Sequence, residues 1–76
     1  MSEAVNLDFN MTSEELLTKA QLIFEDEDPT ELTLFTMIMM IKRALKNRAL
    51  SWSQLKTKGI TRSRVRSLEK RLHQPT

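Results

Sequence analysis

Leu34-Phe35-Thr36-Met37-Ile38-Met39-Met40-Ile41 is apolar at seven of its eight positions and lies inside a longer helical pattern from about Pro29 to Leu50. Wound at about 3.6 residues per turn, Leu34, Ile38, Ile41 and Leu45 fall on one face, while Phe35, Met37, Met39, Met40 and Ala44 cover most of the rest. A helix that is apolar on every side has to be surrounded. In a chain of 76 residues the cover must come from its own flanking helices, from a second copy, or from a partner protein. The run from Leu32 to Ile41 is about half of the ~20 residues needed to span a bilayer, and Lys42 and Arg43 end it at once. The stretch therefore reads as the buried centre of an all-α fold.

At this length one core is marginal, and small helical units commonly make up the deficit by association or very regular packing. The chain has no cysteine, one glycine and two prolines. Disulfides and thiolate metal sites are excluded, and a reduced, cytoplasmic setting is expected. Ser2 to Asn10 carries Glu3 and Asp8 without Lys or Arg, unlike the start of a secretory signal. Net charge is only +2, but residues 1–31 hold nine acids against Lys19, or −8, and residues 32–76 hold eleven bases against Glu69, or +10. Such a swing along one chain points to a polyanion partner for the basic end.

Before the central helix, Val5, Leu7 and Phe9 alternate with Asn6 and Asp8, the period of a short edge strand or an extended arm. Thr12 and Glu15 form a capping box and Met11 can staple to Leu16, so the first helix is expected to begin near Ser13, with Leu16, Leu17, Ala20, Ile23 and Phe24 on its apolar side. It runs into Glu25-Asp26-Glu27-Asp28. A calcium loop needs spaced oxygens and a turn glycine, and neither is present, so these acids are expected to form a solvated junction with no metal. Asp28 is the expected N-cap of the central helix, with Pro29 first inside it and Glu31 as capping partner, and the helix is expected to reach about Ala49.

After it, Ser51 and Gln54 form a second capping box, opening a short helix through about Thr57 or Lys58. Gly59, the sole glycine, falls where that helix needs positive φ to stop, and Thr61 caps a last helix from Arg62 to about His73 with Val65, Leu68 and Leu72 as its inner seam. The expected architecture is one four-helix domain: an acidic arm and first helix (1–28), a central apolar helix (29–50) and a C-terminal pair of short helices (51–73).

That pair, Ser51 to Leu72, resembles a helix-turn-helix DNA-binding motif. Leu55 stands four positions before the turn glycine, Ile60 follows it, and Val65 and Leu68 stand six and nine positions after it, where the motif has apolar residues. Leu55 departs from the alanine usual at its place. The resemblance covers about 22 of 76 residues and identifies a motif, not a family. It implies that the second helix of the pair enters the major groove while the first crosses the backbone. With Val65 and Leu68 inward, Arg62, Ser63, Arg66 and Lys70 share the outer face, flanked by Arg64 and Ser67. Arg62 and Arg66 are the candidates for reading guanine edges, because arginine presents paired donors that match O6 and N7. Thr61, Ser63 and Ser67 suit bases or phosphates, and Lys56, Lys58 and Arg71 suit phosphates.

The implied activity is sequence-specific binding of double-stranded DNA by a small transcriptional regulator of the bacterial, phage or plasmid type. A single short reading helix favours a homodimer on two half-sites about one helical turn apart, and Phe35, Met39 and Met40 are the expected dimer seam. The competing expectation is a protein-interaction module, an inhibitor or adaptor whose acidic N-terminal half docks on a basic host protein. The two are compatible, since a regulator can hold DNA at one end and RNA polymerase or another host protein at the other. Enzyme chemistry finds little footing: His73 is the lone histidine, the serines have no nearby base, no phosphate-cradling glycine loop exists, and no cofactor is implied.

Overall fold

The computed structural model describes Leu7 and residues 10–73. Over these residues the chain is helical and without strands, in the order α1 Ser13–Glu25, α2 Glu31–Lys46, α3 Trp52–Thr57 and α4 Arg62–His73. Val5 and Phe9 of the expected arm or edge strand lie outside the described residues, while Leu7 packs half-buried against the core.

α1 begins as its capping box dictates. The Glu15 N–H donates to Thr12 Oγ1 at 3.2 Å, and the Thr12 N–H donates to the Glu15 carboxylate at 3.4 Å. Glu14 and Glu15 also place negative charge at the positive end of the helix dipole. Leu16, Leu17, Ala20 and Ile23 form its buried stripe.

The start of α2 differs from the sequence-based expectation. Thr30, not Asp28, is the N-cap, its hydroxyl accepting from the Thr33 N–H at 3.1 Å. The physical reason lies one turn earlier. The Asp26 carboxylate accepts the Asp28 N–H at 3.2 Å, folding residues 26–28 into a turn. Thr30 is then the hydroxyl placed to reach an N3 amide.

The end of α2 also falls short of Ala49. The helix stops at Lys46, where Arg48 adopts φ 60° and the chain reverses. The Ala49 N–H bonds the Ala44 carbonyl at 2.8 Å and the Arg48 N–H bonds that of Leu45 at 3.1 Å, the paired bonds of a Schellman turn. An arginine in the left-handed region costs about 1–2 kcal/mol relative to right-handed backbone. Arg48→Gly is accordingly expected to stabilise the fold by about 1 kcal/mol, less than the full penalty because glycine also frees the unfolded chain. Thermal unfolding checks this, as each kcal/mol shifts Tm by about 4–8 °C in a domain of this size. An unchanged or lowered Tm would mean that the Arg48 side chain holds the turn.

The same turn recurs where glycine is present. α3 opens with the Ser51–Gln54 capping box, the Ser51 N–H donating to Gln54 Oε1 at 2.9 Å. It closes at Gly59, φ 78°, with the Gly59 N–H on the Lys56 carbonyl and the Ile60 N–H on the Leu55 carbonyl, both at 2.9 Å. Leu55 and Ile60, the apolar residues that flank such a turn, are both fully buried. Thr61 then caps α4, accepting the Arg64 N–H at 3.3 Å.

The core gathers side chains from every helix and from the turns between them. Leu16, Leu17, Ala20 and Ile23 of α1 meet Leu34, Met37, Ile38, Met40 and Ile41 of α2, then Leu50, Leu55, Ile60 and Val65. α2 packs against α1 and against α4. Two sides of the apolar helix are thereby covered, and among the described residues no polar or charged residue is buried. An ion pair between Lys42 Nζ and Glu69 at 2.7 Å ties α2 to α4 at the surface, where such pairs contribute about 0–1 kcal/mol. Among the described residues no helix is long and apolar enough to cross a membrane.

Candidate nucleic-acid interface

The two short helices and their glycine turn present a basic surface. Residues 51–73 hold seven bases (Lys56, Lys58, Arg62, Arg64, Arg66, Lys70, Arg71) against Glu69, or +6. That one acid is turned to Lys42 of α2. Burial of Val65 at 2% exposure fixes the rotation of α4. It leaves Arg62, Ser63, Arg64, Arg66, Ser67, Lys70 and Arg71 exposed, while Leu68 and Leu72 are half-buried against the core.

The structure divides these residues into groups that composition does not separate. Arg62 stacks over the ring of Trp52 with its guanidinium carbon 5.2 Å from the ring centre. Trp52, Lys56, Thr61, Arg62 and Ser63 together line an open hollow between the start of α3 and the start of α4. Trp52 has two roles: half-buried, it packs against the core and offers its ring as the platform on which Arg62 is laid. Its helical position relative to Lys56, one turn on, was the available signal that it shares that side of α3.

Arg64 is diverted. Its Nη1 donates to the Gly59 carbonyl at 2.8 Å and its guanidinium lies 4.7 Å from the centre of the Phe24 ring on α1. This side chain spans α4, the turn and α1. Its first tasks are to satisfy a turn carbonyl and to cover an aromatic face.

Along the same flank, Ser63, Arg64, Ser67, Leu68 and Arg71 line a cleft opposite Phe24, Asp26, Glu27 and Pro29. The acidic junction that follows α1 thus stands beside one edge of α4. No local sequence feature links residues 26–27 to residues 64–71, and only the packing of α1 brings them together. Arg66 and Lys70 lie on the other side of the outer face, at helical spacing from Arg62, and make the part of α4 remote from those acids, with Ser63 and Ser67 between the two flanks. Lys58 is exposed at the turn itself.

Met40, expected at the dimer seam, belongs instead to the intrachain core, at 7% exposure. Phe35 and Met39, at 45% and 52%, remain outside it. The reason is angular: Met40 lies a further 100° or so around the helix from Met39, on the side that α1 covers. Among the described residues no three histidine or acidic side chains converge as a metal site would require. Compared with known family models, curated proteins and solved structures, the chain shows no significant match.

Proposed function

We propose that the chain is a sequence-specific DNA-binding protein that uses α3 and α4 as a helix-turn-helix. One observation carries the reading: the Gly59 turn and the burial of Leu55, Ile60 and Val65 set two short helices at the motif's spacing, with Arg66, Lys70, Ser63 and Ser67 on the outer face of the second. In this reading the outer face of α4 enters the major groove. Arg66 contacts base edges, and Arg62, held on Trp52 at the start of the helix, reaches either a guanine or the adjacent phosphate. Lys56, Lys58 and the N-terminal amides of α4 hold the backbone and set the register. Two copies reading two half-sites supply the affinity that one reading helix lacks.

Selection of bound fragments from random duplex DNA, followed by titration of the selected site against scrambled duplex, tests this. Enrichment of a defined site with two-fold symmetry is the expected outcome; retention of no fragment at low salt removes the reading. On the selected site, Lys56→Ala is expected to weaken binding to specific and scrambled duplex alike. It should also lower the slope of log affinity against log salt by about 1, the signature of one lost phosphate contact. A loss confined to the specific site would instead assign Lys56 to base reading.

A further inference from the structure

The outer side of α2 carries three of the four large hydrophobic side chains left exposed among the described residues. Leu32, Phe35 and Met39 lie on it at 75%, 45% and 52% exposure. Helical spacing sets them in one stripe with Glu31 at its start and Lys42 and Lys46 at its end, all three charged residues exposed. Phe35 and Met39 also frame, with Ile38, Lys42, Glu69 and Leu72, a recess of ≈ 90 Å³ beside α4.

We infer that this stripe docks a second copy of the chain, with the two α2 helices antiparallel about a two-fold axis beside Met37. The inference deepens the reading above, resting on its requirement for two copies and naming the surface that joins them. Charge decides the occupant and its direction. The stripe is acidic at its N-terminal end, at Glu31, and basic at its C-terminal end, at Lys42 and Lys46. It is therefore complementary to itself, but only when reversed. A parallel pair would set acid on acid and base on base and would align the two helix dipoles; an antiparallel pair opposes unlike ends in both respects. A two-fold contact uses the same patch on both copies, so each favourable contact occurs twice. Centred on Met37, the arrangement lays Phe35 of one copy over Met39 of the other and sets Leu32 along the aliphatic stem of Lys42. Lys42 already bonds Glu69 within its own chain, and Lys46, three positions beyond the point directly opposite Glu31, leans back along its helix towards the N-terminus and so is the cation left to reach Glu31 across the interface.

Sedimentation equilibrium of the full chain without DNA tests this, over micromolar to millimolar concentration, with helicity followed by circular dichroism to verify folding. The native chain is expected to dimerise. Glu31→Lys or Lys46→Glu alone is expected to raise the dimer dissociation constant on the order of tenfold, since each reversal acts at two symmetric contacts. The double swap Glu31→Lys with Lys46→Glu restores the unlike pair and is expected to return the constant to near its native value. Phe35→Lys should give folded monomers. A native chain that stays monomeric overturns the inference, as does a double swap no tighter than the single reversals. Because the measurement contains no DNA, a dimer indifferent to duplex removes the DNA reading and leaves this interface, and a monomer that binds duplex does the reverse.

Discussion

Leu55→Ala is expected to lower the free energy of unfolding by about 2–5 kcal/mol, the range for truncating a fully buried leucine. Leu55 has no exposed surface and stands at the last turn of α3, where its carbonyl accepts the Ile60 N–H that closes the Gly59 turn. α3 is six residues long, too short to hold itself by propensity. Its capping box, its glycine turn and this one buried side chain fasten it to the rest of the molecule. Removing the side chain leaves a cavity at the junction of α3, the turn and α4, the unit proposed to meet DNA.

The opposite expectation follows from the motif alone. Alanine is the usual residue at this place, and a helix pair able to close by one side-chain width would lose about 1 kcal/mol or less. Urea unfolding separates the two outcomes. The structure favours the larger loss because Ile60 and Val65, which would have to move inward with α3, are themselves buried in the same core.

The second large effect separates two arginines that look alike in the sequence. Arg66→Ala is expected to weaken specific DNA binding by about 1–3 kcal/mol, roughly 5- to 150-fold, with stability unchanged and nonspecific binding little affected. Its side chain is exposed on the outer face of α4, so its removal costs contacts with the ligand and none with the core. Arg64→Ala should show the reverse ordering. Its guanidinium satisfies the Gly59 carbonyl and covers Phe24, so the variant loses about 1 kcal/mol of stability, discounted because the residue is exposed, and affects DNA binding chiefly through the placement of α4. Paired measurements of thermal stability and of affinity for the selected site check both at once. If Arg64→Ala lost specific binding at native stability, Arg64 would be the reader and the division drawn between the two flanks of α4 would be wrong.

Much of the architecture is legible in single residues whose chemistry acts locally. The Thr12–Glu15 and Ser51–Gln54 boxes, the Thr61 cap and Gly59 each satisfy or terminate backbone within four residues, so the limits of α1, α3 and α4 follow from the sequence. α2 was harder to delimit at both ends for the complementary reason. Its start depends on an aspartate turn that competes with Asp28 for the capping role, and its end is a Schellman turn built on Arg48, where no glycine marks it. The basic character of α3 and α4 was likewise plain from composition, because charges on a short amphipathic helix have few places to go but outward.

What the sequence by itself determined is the fold class, the four helices, the glycine-linked pair at the C-terminus and the buried residues of α4, all consequences of interactions reaching no further than a turn or two of chain. Only the tertiary structure decided which sides of the Leu34–Ile41 helix are covered. A stretch apolar all round carries no mark of its inner face; that is set by where α1 and α4 land, which buries Met37, Met40 and Ile41 and leaves Phe35 and Met39 outside. The same long-range packing laid Arg62 on Trp52, drew Arg64 to Phe24 and brought the Asp26–Glu27 junction beside α4. Those contacts join residues from about 10 to 45 positions apart, and their partners are chosen by the geometry of helix packing, which no local pattern of residues encodes.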